Sequence, residues 1–174
     1  MSFEEIRVIT VVYLAVFLPL FIYFTNKSKL PNWIPTFYIV GVVVCALGWE
    51  LWFTYGWVDG HSVDIRRSEV LNTWLPKNLN WLMNSMGDAG AVLLGGVWLM
   101  WLTHRKDATI FKQWRWSAFT ILIFWCISQN ILVEMFLYHD QLADGKPLSW
   151  APMSPLGPYF NPILFEYNDR TIML

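Results

Sequence analysis

Four long apolar stretches set the strongest constraint on how this chain can fold. They cover about residues 6–24, 36–57, 79–102 and 116–138, and each has about the 20 residues that a helix needs to cross the hydrocarbon core of a bilayer. Backbone groups in lipid must be hydrogen-bonded internally, which favours a helix for each stretch. The sequence therefore predicts an all-α, polytopic membrane protein, with residues 1–174 forming a single domain built on a four-helix transmembrane bundle.

Composition and charge support this class and narrow the range of partners. Hydrophobic residues make up 56% of the chain and charged residues only 14%, which is too apolar for an ordinary soluble domain. The net charge of −1 offers no basic surface of the kind that nucleic-acid-binding proteins carry, so nucleic acid is excluded as a partner. The His and Asp residues that lie outside the predicted helices have no spacing typical of metal ligands, so we predict no metal site. We predict no other cofactor.

Basic residues suggest how the helices are oriented. The short connections at about residues 25–35 and 103–115 are densely basic, and Asp107 is the one acid in them. Lys and Arg are enriched in the cytoplasmic loops of membrane proteins, so we predict that both connections are cytoplasmic. Tryptophans cluster at the predicted helix edges, where indole rings favour the membrane interface.

The segment from about residue 139 to residue 174 differs from the rest. It interleaves five prolines with large apolar side chains, so it is too broken to be a spanning helix and too apolar to be a solvated linker. We predict a Pro-rich interfacial C-terminal segment that closes the mouth of the bundle. The same segment could act as a lid over a site between the helices.

Polar side chains interrupt three of the four predicted helices. At 1.5 Å per residue, five of them lie between about 6 and 14 Å from the same membrane surface. Residues spaced by four share one face of a helix. Asn80, Asn84 and Asp88 form one such stripe, Asn130 and Glu134 form a second, and both stripes are predicted to point into a common pocket. The full set is Glu50, Asn80, Asn84, Asp88, Gln129, Asn130 and Glu134.

Two interpretations of these residues are open. Amides in membrane helices often do no more than hydrogen-bond across helices, and the acids could be structural in the same way. Ionisable groups in hydrocarbon are costly, however, and usually mark a pathway or a site. Under the functional interpretation Glu50, Asp88 and Glu134 are candidate catalytic acids or bases, and the amides and four indoles form a ligand-binding wall. The four indoles are those of Trp49, Trp52, Trp81 and Trp125.

The residues Gly-Trp-Glu-Leu-Trp at 48–52 resemble the Trp-Glu motif in the second helix of the membrane-bound terpene cyclases of fungal meroterpenoid and indole-diterpene pathways. That resemblance implies that Glu50 is an acid acting on a prenyl epoxide. The family has seven helices and a second essential acid in its last helix, whose place Glu134 or Asp88 would have to take. The four-helix layout is also similar to the sterol-isomerase and sigma-2-receptor-like proteins, which implies amine or sterol ligands, although the His-containing motif of the isomerases is absent from these helices.

Three functions are compatible with the sequence. The first is an intramembrane pocket for a prenyl or sterol-like lipid, with acid-catalysed cyclisation or isomerisation as its possible chemistry. The second is an accessory subunit of a larger membrane complex, with membrane-protein partners. The third is a proton- or cation-coupled carrier, which is disfavoured because the polar residues occupy only one half of the predicted bundle. The first function predicts membrane lipids and a hydrophobic small molecule as partners.

Overall fold

The computed structural model describes residues 1–55, 62–133, 163–167 and 170–173. Three helices in the described part are long and apolar enough to cross a membrane, and a bent pair could form a fourth span. This agrees with the predicted helical bundle and is compatible with an integral membrane protein. The number of crossings and the orientation of the loops stay predictions.

Helix α1 (Phe3–Asn26) begins at a capping box and buries one face. The Ser2 hydroxyl accepts a hydrogen bond from the Glu5 backbone, and the Glu5 carboxylate accepts one from the Ser2 backbone, which satisfies two amides at the start of the helix. Val8, Val12 and Val16 are spaced by four residues and form the buried stripe. The predicted range of 6–24 therefore identified this helix correctly but missed the capped first turn.

The second predicted helix is two helices. Helix α2 (Ile34–Leu47) and helix α3 (Trp49–Tyr55) are bent by 41° relative to each other, and Gly48 lies between them. A Cβ atom on residue 48 would lie 2.7 Å from the Val44 carbonyl oxygen, so the close turn here requires glycine. The expected end at residue 57 lies outside the described residues.

The third predicted helix is the centre of the bundle. Helix α6 (Lys77–Gly87), a π-helical segment (Asp88–Leu94) and helix α7 (Gly95–Thr103) form one continuous helix, which we call the central helix. Helices α1, α2 and α3, together with helix α8 (Trp116–Val133), all pack against it.

Glycines on the central helix allow two neighbours to approach closely. A Cβ atom at Gly90 would lie 2.7 Å from the Ala15 carbonyl oxygen on α1. On the other side, a Cβ atom at Gly96 would lie 2.6 Å from the Leu122 side chain on α8. The small residues therefore set the spacing of α1 and α8 around the central helix.

The segment between α3 and the central helix covers one end of the bundle. Its described part contains two short helices, α4 (Val63–Arg66) and α5 (Glu69–Trp74). Leu71 and Leu75 are buried against α1, and the buried guanidinium of Arg67 donates hydrogen bonds to the carbonyl oxygens of both leucines. Arg67, Leu71 and Leu75 therefore belong to the packed core, although they lie in a connection between two predicted helices.

The short connections form the other end of the bundle. The rings of Trp33 and Phe111 meet edge to face with centroids 5.8 Å apart, which joins the first connection to the second. A hydrogen bond of 2.9 Å between His104 Nε2 and the Ser117 hydroxyl ties the end of α7 to the start of α8.

The described part of the C-terminal segment contains a strand pair that the sequence analysis did not predict. Strand β1 (Ile163–Tyr167) pairs antiparallel with strand β2 (Arg170–Met173). Prolines are absent from both strands, so they do not break the ladder. The expected interfacial placement concerns the whole segment from residue 139, and residues 139–162 lie outside the described residues, so it stays a prediction.

Candidate ligand-binding cavity

A cavity of about 530 Å³ lies between α1, the central helix and α8. Its lining extends from Val11 to Tyr23 on α1 and from Met83 to Leu99 on the central helix. At 1.5 Å per residue these stretches correspond to about 18 Å and about 24 Å, so the cavity is elongated along the helices. Leu30 and Ile34 line it from the first short connection and the start of α2.

The polar side chains of the lining lie in one part of the cavity. Asn84 and Asp88 come from the half of the central helix that begins at Lys77, and Gln129 comes from the last turns of α8 at the same end of the bundle. Towards the other end, the described lining residues are apolar apart from Tyr23 and the indole of Trp98. The cavity is therefore amphiphilic along its length.

Asp88 is the one carboxyl group among the described residues that line the cavity. It is half-buried and is the first residue of the π-helical segment, an irregularity that is frequent at functional sites. Its Oδ2 atom accepts a hydrogen bond of 2.7 Å from the indole N–H of Trp49 on α3. Asp88 thus connects the α3 side of the central helix with the cavity on its other side.

The structure divides the predicted site residues into two groups. Four of them line the cavity: Asn84, Asp88, Trp125 and Gln129. Five others lie elsewhere in the described part of the chain: Trp49, Glu50, Asn80, Trp81 and Asn130. Glu134 lies outside the described residues, and the side chain of Trp52 is not described.

Glu50 lies on α3, which packs against α6. Its side chain is completely buried, as are those of Thr54 on the same helix and of Asn80 and Ser85 on α6. These side chains are absent from the cavity lining. The polar stripe of the central helix is therefore divided, because Asn84 and Asp88 line the cavity whereas the buried Asn80 does not.

The amides of α8 separate in the same way. Gln129 lines the cavity, and its Nε2 atom donates to the Cys126 carbonyl oxygen at 3.2 Å. Asn130, the next residue, has an exposed side chain. Neighbouring residues on a helix point about 100° apart, and at this place on α8 only Gln129 of the two lines the cavity.

Two of the predicted wall tryptophans bind backbone at helix irregularities. The indole N–H of Trp81 donates to the Ala46 carbonyl oxygen at 2.8 Å, just before the bend at Gly48. The indole N–H of Trp125 donates to the Ala91 carbonyl oxygen at 2.8 Å, inside the π-helical segment. Irregular helices leave carbonyl groups without a regular partner, which is costly in hydrocarbon, so these indoles stabilise both distortions.

Replacing Trp125 by phenylalanine is expected to lower the free energy of unfolding by about 1–2 kcal/mol, because the ring is kept while the Ala91 carbonyl loses its donor. Unfolding of the detergent-solubilised protein, followed by circular dichroism during denaturant titration, measures the change. Trp98→Phe is the control, since Trp98 also lines the cavity but has no indole hydrogen bond within the described residues. Equal losses in both variants would contradict a specific role for the Trp125 N–H.

The sequence analysis missed the contribution of α1 to the cavity. Ala15, Leu18, Pro19 and Tyr23 line it, yet nothing in the sequence distinguishes them from the rest of an apolar helix. A helix that is hydrophobic on all sides gives no periodic signal for the face that lines a cavity. No feature of the sequence predicts the π-helical segment either.

Comparisons of the chain with protein-family models, with curated proteins and with solved structures find no match. What the cavity can do must therefore be inferred from its dimensions and its lining.

Proposed function

We propose that the chain is an integral membrane protein whose cavity binds a prenyl or sterol-like lipid. The observation that carries the proposal is a long apolar cavity with a single described carboxyl group, that of Asp88, in its wall. Its volume of about 530 Å³ falls within the usual range of small-molecule sites. Lipids of this class combine an extended apolar body with one small polar group, which matches the distribution of polarity along the lining.

The polar groups of the cavity favour a ligand that donates a hydrogen bond. Asp88 accepts from Trp49 through Oδ2, and its Oδ1 atom has no donor among the described residues. Gln129 uses its amide nitrogen for the Cys126 carbonyl, so its amide oxygen is the part left to accept. A hydroxyl group beside these oxygens would be paired, whereas a carboxylate on the ligand would offer them no hydrogen to accept.

Acid-catalysed cyclisation or isomerisation at this site would depend on Asp88. For this chemistry the carboxyl would have to be protonated, and it would transfer that proton to a ligand double bond. The resulting cation would lie in a cavity that the indoles of Trp98 and Trp125 line, and the Asp88 carboxylate would take a proton from a carbon next to the cation, which forms the product double bond and restores the acid. Glu50 is completely buried and does not line the cavity. The geometry therefore favours Asp88 over Glu50 for the role that the terpene-cyclase resemblance assigns to an acid.

An accessory-subunit function is the second candidate, and the surface of α8 favours it. Ala118 is the only residue of Trp116–Val133 that is buried, and Phe124 has 73% of its surface exposed. Lipid tails could cover this face, but so could a helix of a partner protein. The carrier function has less support, because the described lining from Leu94 to Leu99 holds no ionisable side chain that could continue a relay beyond Asp88.

The proposal is tested by identifying what the protein retains. The full chain is purified in mild detergent, and bound lipids and co-purifying polypeptides are quantified by mass spectrometry. Asp88→Asn is expected to reduce the retained prenyl or sterol-like lipid about tenfold, because the one amide oxygen would stay paired with the Trp49 N–H and an NH2 donor would replace the acceptor that faces the ligand. Glu50→Gln is the matched control, since Glu50 is an acid of the neighbouring helix that does not line the cavity, and it is expected to retain the lipid.

The outcomes separate the candidate functions. Equal retention in the parent and in Asp88→Asn would rule out Asp88 as the recognition group. Polypeptides that co-purify in fixed ratio, without lipid of this class, would favour the accessory subunit. Because Glu50 is buried, the surface variant Asp64→Asn serves as a second control if Glu50→Gln fails to fold.

A further inference from the structure

The two short connections form a single basic face at one end of the bundle. The contact between Trp33 and Phe111 places them side by side, and both lie at the end of the central helix that terminates at Thr103. Six exposed cationic side chains lie on this face, and we call them the basic rim. They are Lys27, Lys29, Arg105, Lys106, Lys112 and Arg115.

The basic rim carries a local excess of positive charge that the composition conceals. The whole chain has a net charge of −1, yet residues 27–33 and 104–115 together have a net charge of +5 with histidine neutral. None of the six cations forms an ion pair within the part of the chain that the structure describes. Their charge is therefore available to an external anion.

The single acid of this face does not neutralise it. The Asp107 carboxylate accepts hydrogen bonds from the Thr109 hydroxyl at 2.5 Å and from the Thr109 backbone at 2.9 Å. These bonds, the hydroxyl first, hold the pKa of Asp107 below its ordinary value. Asp107 thus serves as the cap of a short 3₁₀ turn (Ala108–Phe111) while the cations around it stay exposed.

Backbone structure fixes part of the basic rim. Arg105 and Lys106 both have positive φ angles, of 57° and 64°, which non-glycine residues rarely adopt. The Lys106 N–H closes the helix end with a hydrogen bond of 2.8 Å to the Trp101 carbonyl oxygen. The Lys106 ammonium lies 5.9 Å from the centroid of the Trp101 ring. The turn therefore holds two adjacent cations in a defined place.

Aromatic side chains place the rim at the depth of lipid headgroups. Trp33, Trp114 and Trp116 are exposed at the same end of the bundle, and the last two meet edge to face with centroids 5.2 Å apart. Exposed indoles favour the interface between hydrocarbon and water. The cations beside them would then meet phosphate groups of the surrounding leaflet.

We propose that the basic rim binds the headgroups of anionic phospholipids. Juxtamembrane Lys and Arg residues are attracted to anionic leaflets, and six of them on one face act together. The occupant is a lipid headgroup, because the rim is flanked by exposed indoles and lies directly above apolar helix surfaces. This inference does not depend on the cavity or on its ligand.

The test uses the full chain in bilayers that contain either spin-labelled phosphatidylglycerol or spin-labelled phosphatidylcholine. The parent is expected to associate with the anionic probe at least threefold more than with the neutral one at low salt. Replacing Lys27, Lys29, Lys106 and Lys112 with glutamine should bring that ratio close to one. Replacing the same four lysines with arginine keeps the charge and should preserve the ratio.

A parental ratio near one, or a ratio that the glutamine variant leaves unchanged, would overturn the proposal. If the glutamine variant does not fold, the parental ratio at low salt is compared with the ratio in 1 M NaCl. Screening should remove most of the preference for the anionic probe, and an unchanged ratio would overturn the proposal. Inorganic phosphate at matched ionic strength should have no greater effect than NaCl. Stronger competition by phosphate would instead indicate a site for free phosphate and would contradict headgroup docking.

Discussion

Replacing Gly90 by alanine is expected to lower the free energy of unfolding by about 2 kcal/mol, although alanine is the better helix former. The new Cβ atom would lie 2.7 Å from the Ala15 carbonyl oxygen and 3.5 Å from the Pro19 ring. The first of these contacts is with backbone, which cannot rotate away as a side chain can. Helix α1 would therefore have to move away from the central helix.

Gly87→Ala is the matched control for this prediction. It lies one turn earlier on the same helix and faces the same neighbour, but its Cβ atom would meet only side chains, Ala15 Cβ at 3.3 Å and Val16 Cγ2 at 3.9 Å. Both substitutions gain about 1 kcal/mol of helix propensity, so the difference between them isolates the backbone contact. Denaturant titration in detergent measures both, and equal stabilities would show that α1 does not pack against Gly90 as described.

Helix positions could be predicted from the sequence because hydrocarbon demands continuous apolar length. The stretches at 6–24 and 79–102 fall inside the observed helices Phe3–Asn26 and Lys77–Thr103. The break at Gly48 was not predicted, since apolar residues continue on both sides of it and a glycine alone does not end a membrane helix. What makes the bend tolerable is the Trp81 indole, which comes from a distant part of the chain.

The candidate site was only partly predictable for a related reason. Spacing by four predicted that Asn80, Asn84 and Asp88 share one face of the central helix, and Asn84 and Asp88 line the cavity whereas Asn80 does not. Spacing within one helix cannot say which neighbour that face meets, so Glu50 and Asp88 were assigned to one pocket although only Asp88 lines the cavity. Which neighbour the face meets depends on how three helices pack together. The glycines that control this packing are not polar, so the pattern of polar residues does not reveal it.

Filling the cavity should abolish ligand retention without unfolding the protein. Ala91 lines the cavity from the π-helical segment, so Ala91→Phe would place an aromatic ring in space that is open in the structure. We expect the amount of bound prenyl or sterol-like lipid per protein to fall at least tenfold, which corresponds to about 1.4 kcal/mol of binding free energy. Quantitative mass spectrometry of lipid extracted from the purified protein measures it.

Leu82→Phe is the control, because it adds the same ring to an exposed position of the central helix that does not line the cavity. Its lipid content and stability should match those of the parent. Ala91→Phe differs from Asp88→Asn in what it tests, since it removes the space and keeps the polar group. Loss of lipid in Ala91→Phe but not in Asp88→Asn would show that the ligand lies in the cavity and that Asp88 does not recognise its polar group. Parental lipid content in a folded Ala91→Phe variant would show that the ligand lies elsewhere.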